Sequence, residues 1–462
     1  MLFVLALCIA AGKLPAQGSV RPVVGTPRAF TPPAVRERIL PNGMRIAMVP
    51  YGTTPTARVE LVIRTGRAYE EEAGLAQLVG DYLLEGTATR DAPTIARELA
   101  ALGTVGGGLF VVVGTHETMV AGEVLAASAP ALIRLIAEIA TRPAFDAAML
   151  ERLKTNYRRR IQSQSTSASA IASARVNAIL FPGDPADRSA TDAQLERVSI
   201  AHLRAFHAEH IVARRSRLYV AGVFDAALVD AAAAQALAGM QSGTKAATLP
   251  RVAGRTLDGM RDRPVFHLID RPGATQSRIQ VSMPVVDQTH PDHLALNELV
   301  SLMGSVQTSR IVANVRERHG YSYNVSARLL RRPAATTWTV QADVNRDVTG
   351  AALREILGEL DLLPSTPPTD DELRGFQRFM AGGMTSETST ARGILDYLRF
   401  LDLYETGLEY LTNLIPSIFA VTPTELLRVY TTYLRPEQRV IVVIGDAKSV
   451  DPQLRELGQV VP

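Results

Sequence analysis

Two kinds of hydrophobic spacing alternate along this chain. Residues 36–49 alternate apolar and polar positions around Pro41-Asn42-Gly43, which predicts two strands joined by a tight turn. Residues 127–141 instead place apolar positions three and four apart and stop before Pro143, which predicts an amphipathic helix. Because short strands and longer helices of these kinds follow one another through most of the chain, we predict an α+β protein.

The same order of elements returns in the second part of the chain. A predicted helix at 199–211 leads to a strand at 217–222, and a helix beginning at Thr422 leads to a strand at 441–445. The offset between the two pairs is roughly 220 residues, as expected for a duplicated domain. An earlier strand and helix pair recurs at a similar offset, so duplication is the better interpretation.

Length and composition agree with two domains. A chain of 462 residues is too long for one ordinary core, and 47% hydrophobic with 21% charged residues is typical of a globular protein. Residues 238–262 contain Gly, Ser, Thr, Pro and Lys with little periodicity, which predicts a linker. We therefore expect an N-terminal domain at 35–237 and a C-terminal domain at 263–462.

The N-terminus has the character of an export signal. Met1 to Gly12 is an apolar run that is too short to span a bilayer, so residues 1–17 are predicted to be a signal peptide. Residues 18–34 are rich in Pro, Gly and Val and are predicted to form an extended leader. The expected location is therefore the periplasm or another exported compartment. Cys8 is the only cysteine, which excludes a disulfide framework.

Charge gives little indication of a nucleic-acid partner. The formal net charge is +3, and the tightest basic runs are 158–160 and 328–332. Neither run is interleaved with aromatic residues, as a nucleic-acid platform would be. No stretch after the N-terminal run is apolar enough to predict a membrane span.

The most informative stretch is 74–87, Gly-Leu-Ala-Gln-Leu-Val-Gly-Asp-Tyr-Leu-Leu-Glu-Gly-Thr. Its apolar residues recur at three- and four-residue spacing, which predicts a helix with one apolar side that ends at Gly86. The stretch resembles the zinc helix of the pitrilysin/insulinase-type metallopeptidases, Gly-Leu-x-His-x-x-Glu-His running on to Gly-Thr. The flanking frame is intact, but Gln77 and Asp81 stand at the ligand positions and Gly80 at the general-base position.

These substitutions remove the metal chemistry that the resemblance would otherwise imply. In the H-x-x-E-H motif, two imidazoles bind zinc and the Glu activates the bound water. Gln77 is a poor zinc ligand, Asp81 alone cannot hold the ion, and Gly80 cannot take a proton. In the family a third ligand lies roughly 75 residues further along, where this chain has Arg158-Arg159-Arg160, a cluster that repels a dication. We predict no metal or other cofactor in this chain.

A second motif lies in the C-terminal half. Residues 270–277, Asp-Arg-Pro-Gly-Ala-Thr-Gln-Ser, resemble the loop before the family's second-domain strand, and 315–325 resemble its Arg-Glu-x-x-Gly-x-x-Tyr signature. Gly320 is expected to end a helix, which would place Arg316 in its last turns and Tyr323 on the following strand. Guanidinium and phenol groups can both donate to a carbonyl oxygen that develops negative charge. The alternative is a surface ion pair and a half-buried strand tyrosine.

Three other patterns are weaker. His207 with His210, and His290 with His293, are spaced three apart, and the first pair is expected to face solvent on its helix. Neither pair is favoured as a metal site. The triple glycine at 106–108 has no following Lys-Ser/Thr and leads into a strand, which argues against a phosphate loop.

The resemblance implies two homologous domains, each a mostly antiparallel sheet with helices packed on one face. Proteolysis in the family needs a chamber built from four such domains, so a two-domain chain is expected to pair with another. Lacking the zinc motif but keeping Arg316 and Tyr323, this chain is expected to be the non-catalytic, substrate-binding subunit of a heterodimer. The homologous H-x-x-E-H subunit would carry the zinc, and extended peptides would be the substrates.

Two alternatives remain open at this point. The chain could instead be a structural subunit of a larger complex without a role in proteolysis. It could also be a free-standing hydrolase with an unusual metal site. The first predicts that loss of Arg316 leaves every activity unchanged, and the second predicts that the isolated chain cleaves peptides.

Overall fold

The computed structural model describes residue 25 and residues 28–245, 264–332 and 335–462. The predicted signal peptide (1–17), most of the predicted leader (18–34) and most of the predicted linker (238–262) lie outside these ranges. The two domain boundaries therefore stay predictions. No helix in the described ranges combines the length and the apolar character needed to cross a membrane.

The first half contributes six strands and eight α-helices to the described chain. The strands are β1 (Arg36–Ile39), β2 (Arg45–Pro50), β3 (Thr56–Ile63), β4 (Phe110–Val113), β5 (Thr118–Leu125) and β6 (Ser216–Gly222). The helices are α1 (Leu75–Tyr82), α2 (Ala92–Ala101), α3 (Ala129–Thr141), α4 (Ala147–Thr166), α5 (Ala168–Leu180), α6 (Asp192–Arg197), α7 (Ile200–His210) and α8 (Ala226–Leu237).

The second half is built in the same way. Its strands are β7 (Val265–Asp270), β8 (Gln276–Val285), β9 (Ser326–Arg332), β10 (Ala335–Asn345), β11 (Val440–Gly445) and β12 (Gln459–Val461). Its helices are α9 (His293–Val300), α10 (Arg310–Val312), α11 (Thr349–Leu362), α12 (Asp370–Thr388), α13 (Ala391–Tyr404), α14 (Glu409–Ala420), α15 (Pro423–Tyr433) and α16 (Ala447–Arg455). Two π-helical turns, Ser301–Ser305 and Ala313–Arg318, follow α9 and α10.

The two halves form two six-stranded sheets with matching topology. The strand orders are β1-β2-β6-β3-β5-β4 and β12-β7-β11-β8-β10-β9. The pairs β2–β6 and β7–β11 are parallel, and the three pairs from β6 to β4 and from β11 to β9 are antiparallel. The outermost strand differs, because β1 comes from the start of its half and β12 from the end. The predicted duplicated α+β fold with mostly antiparallel pairing is confirmed.

Each sheet packs its own helices on one face. In the first half, Ile46, Leu61 and Val120 from the sheet lie in one buried cluster with Leu132 of α3 and Leu203 of α7. In the second half, an equivalent cluster joins sheet residues to helix residues, among them Phe266, Ile279, Trp338, Leu296 and Ile356. Burial of this apolar surface is the main force that holds each layer pair together.

The opposite face of each sheet is covered by a helix from the other half. Helix α13 places Ile394, Leu395 and Leu398 on Ala47 and Tyr219 of the first sheet. Reciprocally, α5 buries its apolar side against β11 of the second sheet. The two halves are thus joined by an exchange of helices, which buries both faces of the central strands.

Partly buried ion pairs reinforce this exchange. The Asp402 carboxylate of α13 accepts hydrogen bonds from the Arg217 guanidinium and the Tyr219 hydroxyl on β6. Arg399, also on α13, lies 3.7 Å from Glu60 and 3.6 Å from Glu117. Burial raises the pKa of Glu60 and of Glu117, and the nearby guanidinium groups oppose that rise. The interface therefore contains charge pairs that depend on both halves being in place.

Candidate functional site

Helix α1, which carries the altered zinc motif, begins after a buried carboxylate. The Glu70 carboxylate accepts from the Gly74 backbone N–H at 3.0 Å and from the Ala76 N–H at 2.9 Å. Burial raises the pKa of Glu70, and these two hydrogen bonds lower it. Glu70 is thus a cap for the helix, because it satisfies backbone donors that have no partner within the helix.

The predicted end of this helix at Gly86 is wrong. Helix α1 ends at Tyr82, and the next residues close tighter turns, with the Glu85 N–H donating to the Tyr82 carbonyl at 3.0 Å. Gly86 has φ +134° and forms an isolated bridge with Asp91. It therefore starts the next segment instead of capping the helix.

At the ligand positions the structure has a hydrogen-bonded ion pair. The Gln77 amide donates to the Asp81 carboxylate at 3.0 Å, and Arg160 of α4 lies 2.5 Å from the same carboxylate. The Arg158–Arg160 cluster was expected only to repel a cation. One of its members instead contacts Asp81 directly and connects α1 to α4.

The general-base position is closed by packing. A β-carbon on Gly80 would overlap Val113 Cγ2 of strand β4 and would lie 3.5 Å from Val111 Cγ1. Glycine therefore allows α1 to approach the edge strand β4 more closely than any residue with a side chain would. A glutamate at position 80 has no room in this packing.

These residues do not fit a zinc ion. The acceptor oxygens of Asp81 are engaged by Gln77 and by a guanidinium, and a cation beside Arg160 would be repelled. A zinc site needs three protein ligands of the His, Cys or carboxylate type, and the described residues contain no such cluster.

The second motif is built around the end of a helix. The π-helical turn Ala313–Arg318 carries Arg316, and Gly320 follows with φ +64°, a conformation that glycine adopts easily. Arg316 is therefore in the last turn, as predicted. Tyr323 is not on the following strand, because it lies in the bend before β9 begins at Ser326.

Arg316 and Tyr323 contact each other. The Arg316 Cζ atom lies 4.6 Å from the centre of the Tyr323 ring, a cation–π geometry. Tyr323 is 78% exposed, and the Arg316 Nε atom lies 3.3 Å from the Glu317 carboxylate. The Arg316 guanidinium and the Tyr323 ring are therefore held together, and the tyrosine side chain stays open to solvent.

Neighbouring residues fix this bend. The buried Ser322 hydroxyl donates to the Asp343 carbonyl at 2.8 Å and accepts from the Asn324 N–H at 3.2 Å. Tyr321 stacks on His319 with ring centres 5.0 Å apart. Because Ser322 points inwards, Tyr323 is directed outwards. The prediction placed Tyr323 on a strand because a strand was expected directly after the helix end at Gly320.

Both motifs lie beside the edge strand at the β4 or β9 end of their sheet. Helix α1 packs on β4, the edge strand of the first sheet, and Tyr323 precedes β9, the edge strand of the second. Each edge strand leaves one row of backbone N–H and C=O groups without a strand partner in its sheet. An extended peptide is the ligand that such an edge accepts most readily.

The histidine pairs are structural. The expectation that His207 and His210 face solvent is wrong, since the His207 ring is 2.7 Å from the Ala140 carbonyl and the buried His210 Nδ1 is 2.6 Å from Arg215. Burial lowers the pKa of both rings. In the second pair, burial lowers the pKa of His293 to about 4.

Comparison with protein-family models identifies the class. Residues 45–194 match the model for insulinase (peptidase family M16), and residues 197–378 match the model for the peptidase M16 inactive domain. The chain therefore belongs to the M16 peptidase family, as a non-catalytic member. Among curated proteins, no sequence shows significant similarity to this chain.

Solved structures show the same fold. The peptidase M16 inactive domain from Pseudomonas fluorescens aligns with a TM-score of 0.80 at 21% identity, covering 89% of this chain and 98% of that one. A protease from Helicobacter pylori aligns with a TM-score of 0.81 at 15% identity, covering 90% of this chain and all (100%) of that one. Both therefore resemble this chain along nearly its whole described length.

Proposed function

We propose that this chain is the non-catalytic, substrate-binding subunit of a heterodimeric zinc metallopeptidase. It binds extended peptides and supplies Arg316 and Tyr323 to the active site of a homologous H-x-x-E-H subunit that holds the zinc. The observation that carries this proposal is the exposed phenol of Tyr323 stacked on Arg316, in a chain whose own zinc-helix positions are closed by Val113 and Arg160.

The chemistry of the pair supports the role. Peptide hydrolysis passes through a tetrahedral intermediate with negative charge on the former carbonyl oxygen. A phenol O–H and a guanidinium N–H that are aimed at this oxygen stabilise it. Because the ring of Tyr323 rests on Arg316, both donors are positioned before substrate arrives, which avoids the cost of ordering them during the reaction.

The edge strand β9 offers a place for the peptide. It begins three residues after Tyr323 and, among the described strands, pairs with β10 alone, so its outer edge can take up an additional strand. A peptide lying along β9 would pass close to the Arg316–Tyr323 pair. The heterodimer is part of this proposal, since an inactive two-domain chain needs a zinc-bearing partner. The exported location, predicted from residues 1–17, is also part of it.

Co-purification with a co-encoded H-x-x-E-H chain tests this function. We expect each chain alone to be nearly inactive on unstructured peptides and the pair to be active. Arg316→Ala should reduce the activity of the pair by about ten-fold or more, the scale of losing one donor to developing charge.

Each alternative predicts a different outcome. A structural subunit would assemble with its partner while Arg316→Ala left cleavage unchanged. A free-standing hydrolase would cleave peptides in isolation and contain stoichiometric metal. Either result would overturn the proposal.

A further inference from the structure

The edge strand β9 carries two exposed arginines. Its sequence is Ser-Ala-Arg-Leu-Leu-Arg-Arg, and the third and sixth residues are Arg328 and Arg331. Both are exposed, and among the described residues no carboxylate oxygen lies within 4 Å of either guanidinium group. The last residue, Arg332, differs from them, because it pairs with Asp184 at 2.5 Å and with Asp187 at 2.8 Å. In the described chain, Arg328 and Arg331 are therefore the cations of β9 that can pair with a ligand.

Arg328 has a second guanidinium group as a neighbour. Burial and the charge of Arg278 both lower the pKa of Arg328. The Arg278 guanidinium already pairs with the Asp343 carboxylate at 2.8 Å. The group formed by Arg278, Asp343 and Arg328 therefore keeps one positive charge that is not compensated within it, and a further carboxylate would be attracted to it.

Arg331 has an acidic residue in its wider surroundings. Burial raises the pKa of Tyr404 to about 12, and the charges of Arg331 and Asp287 act on it in opposite directions. The same two charges also act in opposite directions on the pKa of His293. Asp287 thus reduces the positive potential around Arg331, although the two do not form an ion pair. A carboxylate placed directly beside the guanidinium would interact with it more strongly, because the Coulomb energy falls with distance.

Strand geometry fixes how the two arginines are arranged. Three positions along a strand span about 10 Å and reverse the direction of the side chain, so Arg328 and Arg331 point to opposite faces of the sheet. Leu329 and Leu330, both half-buried, lie between them and also point to opposite faces. The antiparallel register with β10 holds this alternation in place. The edge thus presents Arg-Leu-Leu-Arg, an order that is the same in both chain directions.

The backbone beside these residues is available for pairing. Strand β9 forms its ladder with β10, and in the described chain its residues make no other backbone hydrogen bonds. A second strand that paired with the outer edge would set one of its residues opposite each residue of β9, with Cβ atoms about 5 Å apart on the same face. The residues opposite Arg328 and Arg331 would then be three positions apart in that strand.

The two charges determine which strand fits this edge. Another copy of this chain would place arginine opposite arginine, both in the parallel register without offset and in the symmetric antiparallel register, and like charges in that position are destabilising. Charged residues on an edge strand prevent such self-association. A peptide with carboxylates at these positions is instead attracted, and apolar residues between them would contact Leu329 and Leu330.

We propose that β9 binds preferentially those extended peptides in which two acidic residues flank two apolar residues. Arg328 and Arg331 each form an ion pair with one carboxylate, and the two leucines between them pack against the apolar residues. This specificity rests on the proposed function, in which the peptide on β9 is the substrate. It adds the substrate class, because Arg316 and Tyr323 act on the scissile carbonyl and do not distinguish side chains.

Three labelled peptides test this specificity on the isolated protein. All carry a neutral dye at the N-terminus and an amide at the C-terminus, and their affinities are measured by fluorescence anisotropy. The first contains Asp-Val-Val-Asp, the second has the same residues in the order Asp-Val-Asp-Val, and the third contains Asn-Val-Val-Asn. Because an exposed ion pair contributes a factor of about three, we expect the second peptide to bind about three-fold and the third about ten-fold more weakly than the first.

Charge reversal connects the preference to these residues. The double variant Arg328→Glu/Arg331→Glu should invert it, so that a Lys-Val-Val-Lys peptide binds at least about ten-fold more tightly than the Asp-Val-Val-Asp peptide. The matched control is Arg36→Glu, because Arg36 is an exposed arginine on β1, an outer strand of the other sheet. It should bind all peptides like wild type.

Thermal unfolding checks that each variant retains the fold. The milder double variant Arg328→Gln/Arg331→Gln applies if the reversal unfolds the protein. It should bind the Asp-Val-Val-Asp and Asn-Val-Val-Asn peptides with equal affinity.

The outcomes separate this inference from the proposed function. Equal binding of the three peptides, no binding of any of them, or a loss of preference in Arg36→Glu as large as in the double reversal would overturn the specificity. If the assembled pair nevertheless cleaved peptides in a manner that depends on Arg316, the proposed function would stand. If the isolated chain showed the preference but the pair cleaved nothing, β9 would remain a site for acidic peptides and the proposed function would fail.

Discussion

Val113 occupies the space that a side chain at Gly80 would need. The contact joins the altered zinc helix α1 to the edge strand β4, and it explains why the general-base position cannot simply be restored. Residues 77 and 81 lost their ligand chemistry by substitution, but position 80 is also closed sterically. Helix α1 therefore differs from the zinc motif in how it packs on β4 as well as in its residues.

Adding a methyl group at this contact should destabilise the protein. We expect Gly80→Ala to lower the free energy of unfolding by about 1–3 kcal/mol, because overpacking forces the helix away from the strand. The control is Gly382→Ala on the exposed side of α12, where a β-carbon would meet nothing within 4 Å. There alanine should stabilise by about 0.5–1 kcal/mol through its higher helix propensity. Urea unfolding measures both, and a neutral Gly80→Ala would contradict the tight packing.

The exchange of helices between the halves can be tested at Asp402. Asp402→Ala leaves the guanidinium of Arg217 and the hydroxyl of Tyr219 without this acceptor at a mostly buried position. We expect a loss of unfolding free energy on the order of 3 kcal/mol, as for a buried ion pair that loses one partner. Asp396 lies on the same helix, is 50% exposed and pairs with Arg392 and Arg399.

Asp396→Ala should therefore change stability by less than about 1 kcal/mol. Equal effects of the two substitutions in urea unfolding would show that the interface ion pair adds nothing beyond a surface pair. A separate early transition in Asp402→Ala alone would indicate that the two halves then unfold independently.

Much of the fold follows from local sequence signals. The Asn42-Gly43 turn and its flanking alternation predicted the β1–β2 hairpin, which forms with Ile39 opposite Arg45. The order of helices and strands, repeated at a constant offset, predicted the duplication. The turn is a local signal and the repeat is a comparison of the chain with itself, so a single sequence is sufficient to see both.

The helix that covers the second face of each sheet cannot be predicted from the sequence of the strands. The β11 sequence Val-Ile-Val-Val-Ile-Gly is apolar at every position, and its residues divide between two clusters on opposite faces. Continuous apolar strands of this kind indicate burial on both sides. The sequence does not state that α5, far away in the chain, supplies the second layer.

The sequence was sufficient to predict which residues replace the zinc ligands, but not which side chains contact them. Gln77 and Asp81 at the ligand positions were visible from the motif frame. The contact of Arg160 with Asp81 and of Val113 with Gly80 depends on how α4 and β4 pack on α1. Tyr323 was placed on a strand because one was expected directly after Gly320, but the inward Ser322 hydroxyl holds that segment in a bend.

The buried Glu298 should make stability depend on pH. This side chain of α9 is fully buried, and among the described residues the Gln377 amide of α12 is its one hydrogen-bond donor, at 3.1 Å. Burial raises its pKa to about 8. Between the unfolded pKa of about 4.3 and the folded value, the unfolded chain has released a proton that the native protein keeps, so stability falls as pH rises.

Glu298→Gln should remove this slope, because the amide resembles the protonated acid. We expect the variant and wild type to be similar at pH 5. At pH 8 the variant should be more stable by an amount on the order of 3 kcal/mol. Chemical unfolding at both values measures the difference, and parallel pH profiles for the two proteins would show that Glu298 ionises normally in the native state.

Tyr323 tests the catalytic contribution most cleanly, because one oxygen atom can be removed without changing the packing of the ring on Arg316. In the assembled pair we expect Tyr323→Phe to lower kcat/KM by about ten-fold or more, mainly through kcat, since the hydroxyl is needed when charge develops on the substrate oxygen. Tyr321→Phe is the matched control, because Tyr321 lies two residues earlier in the same bend and stacks on His319. It should keep nearly full activity. A fall in both variants would point to the conformation of the bend, and a fall in neither would mean that the exposed phenol takes no part in cleavage.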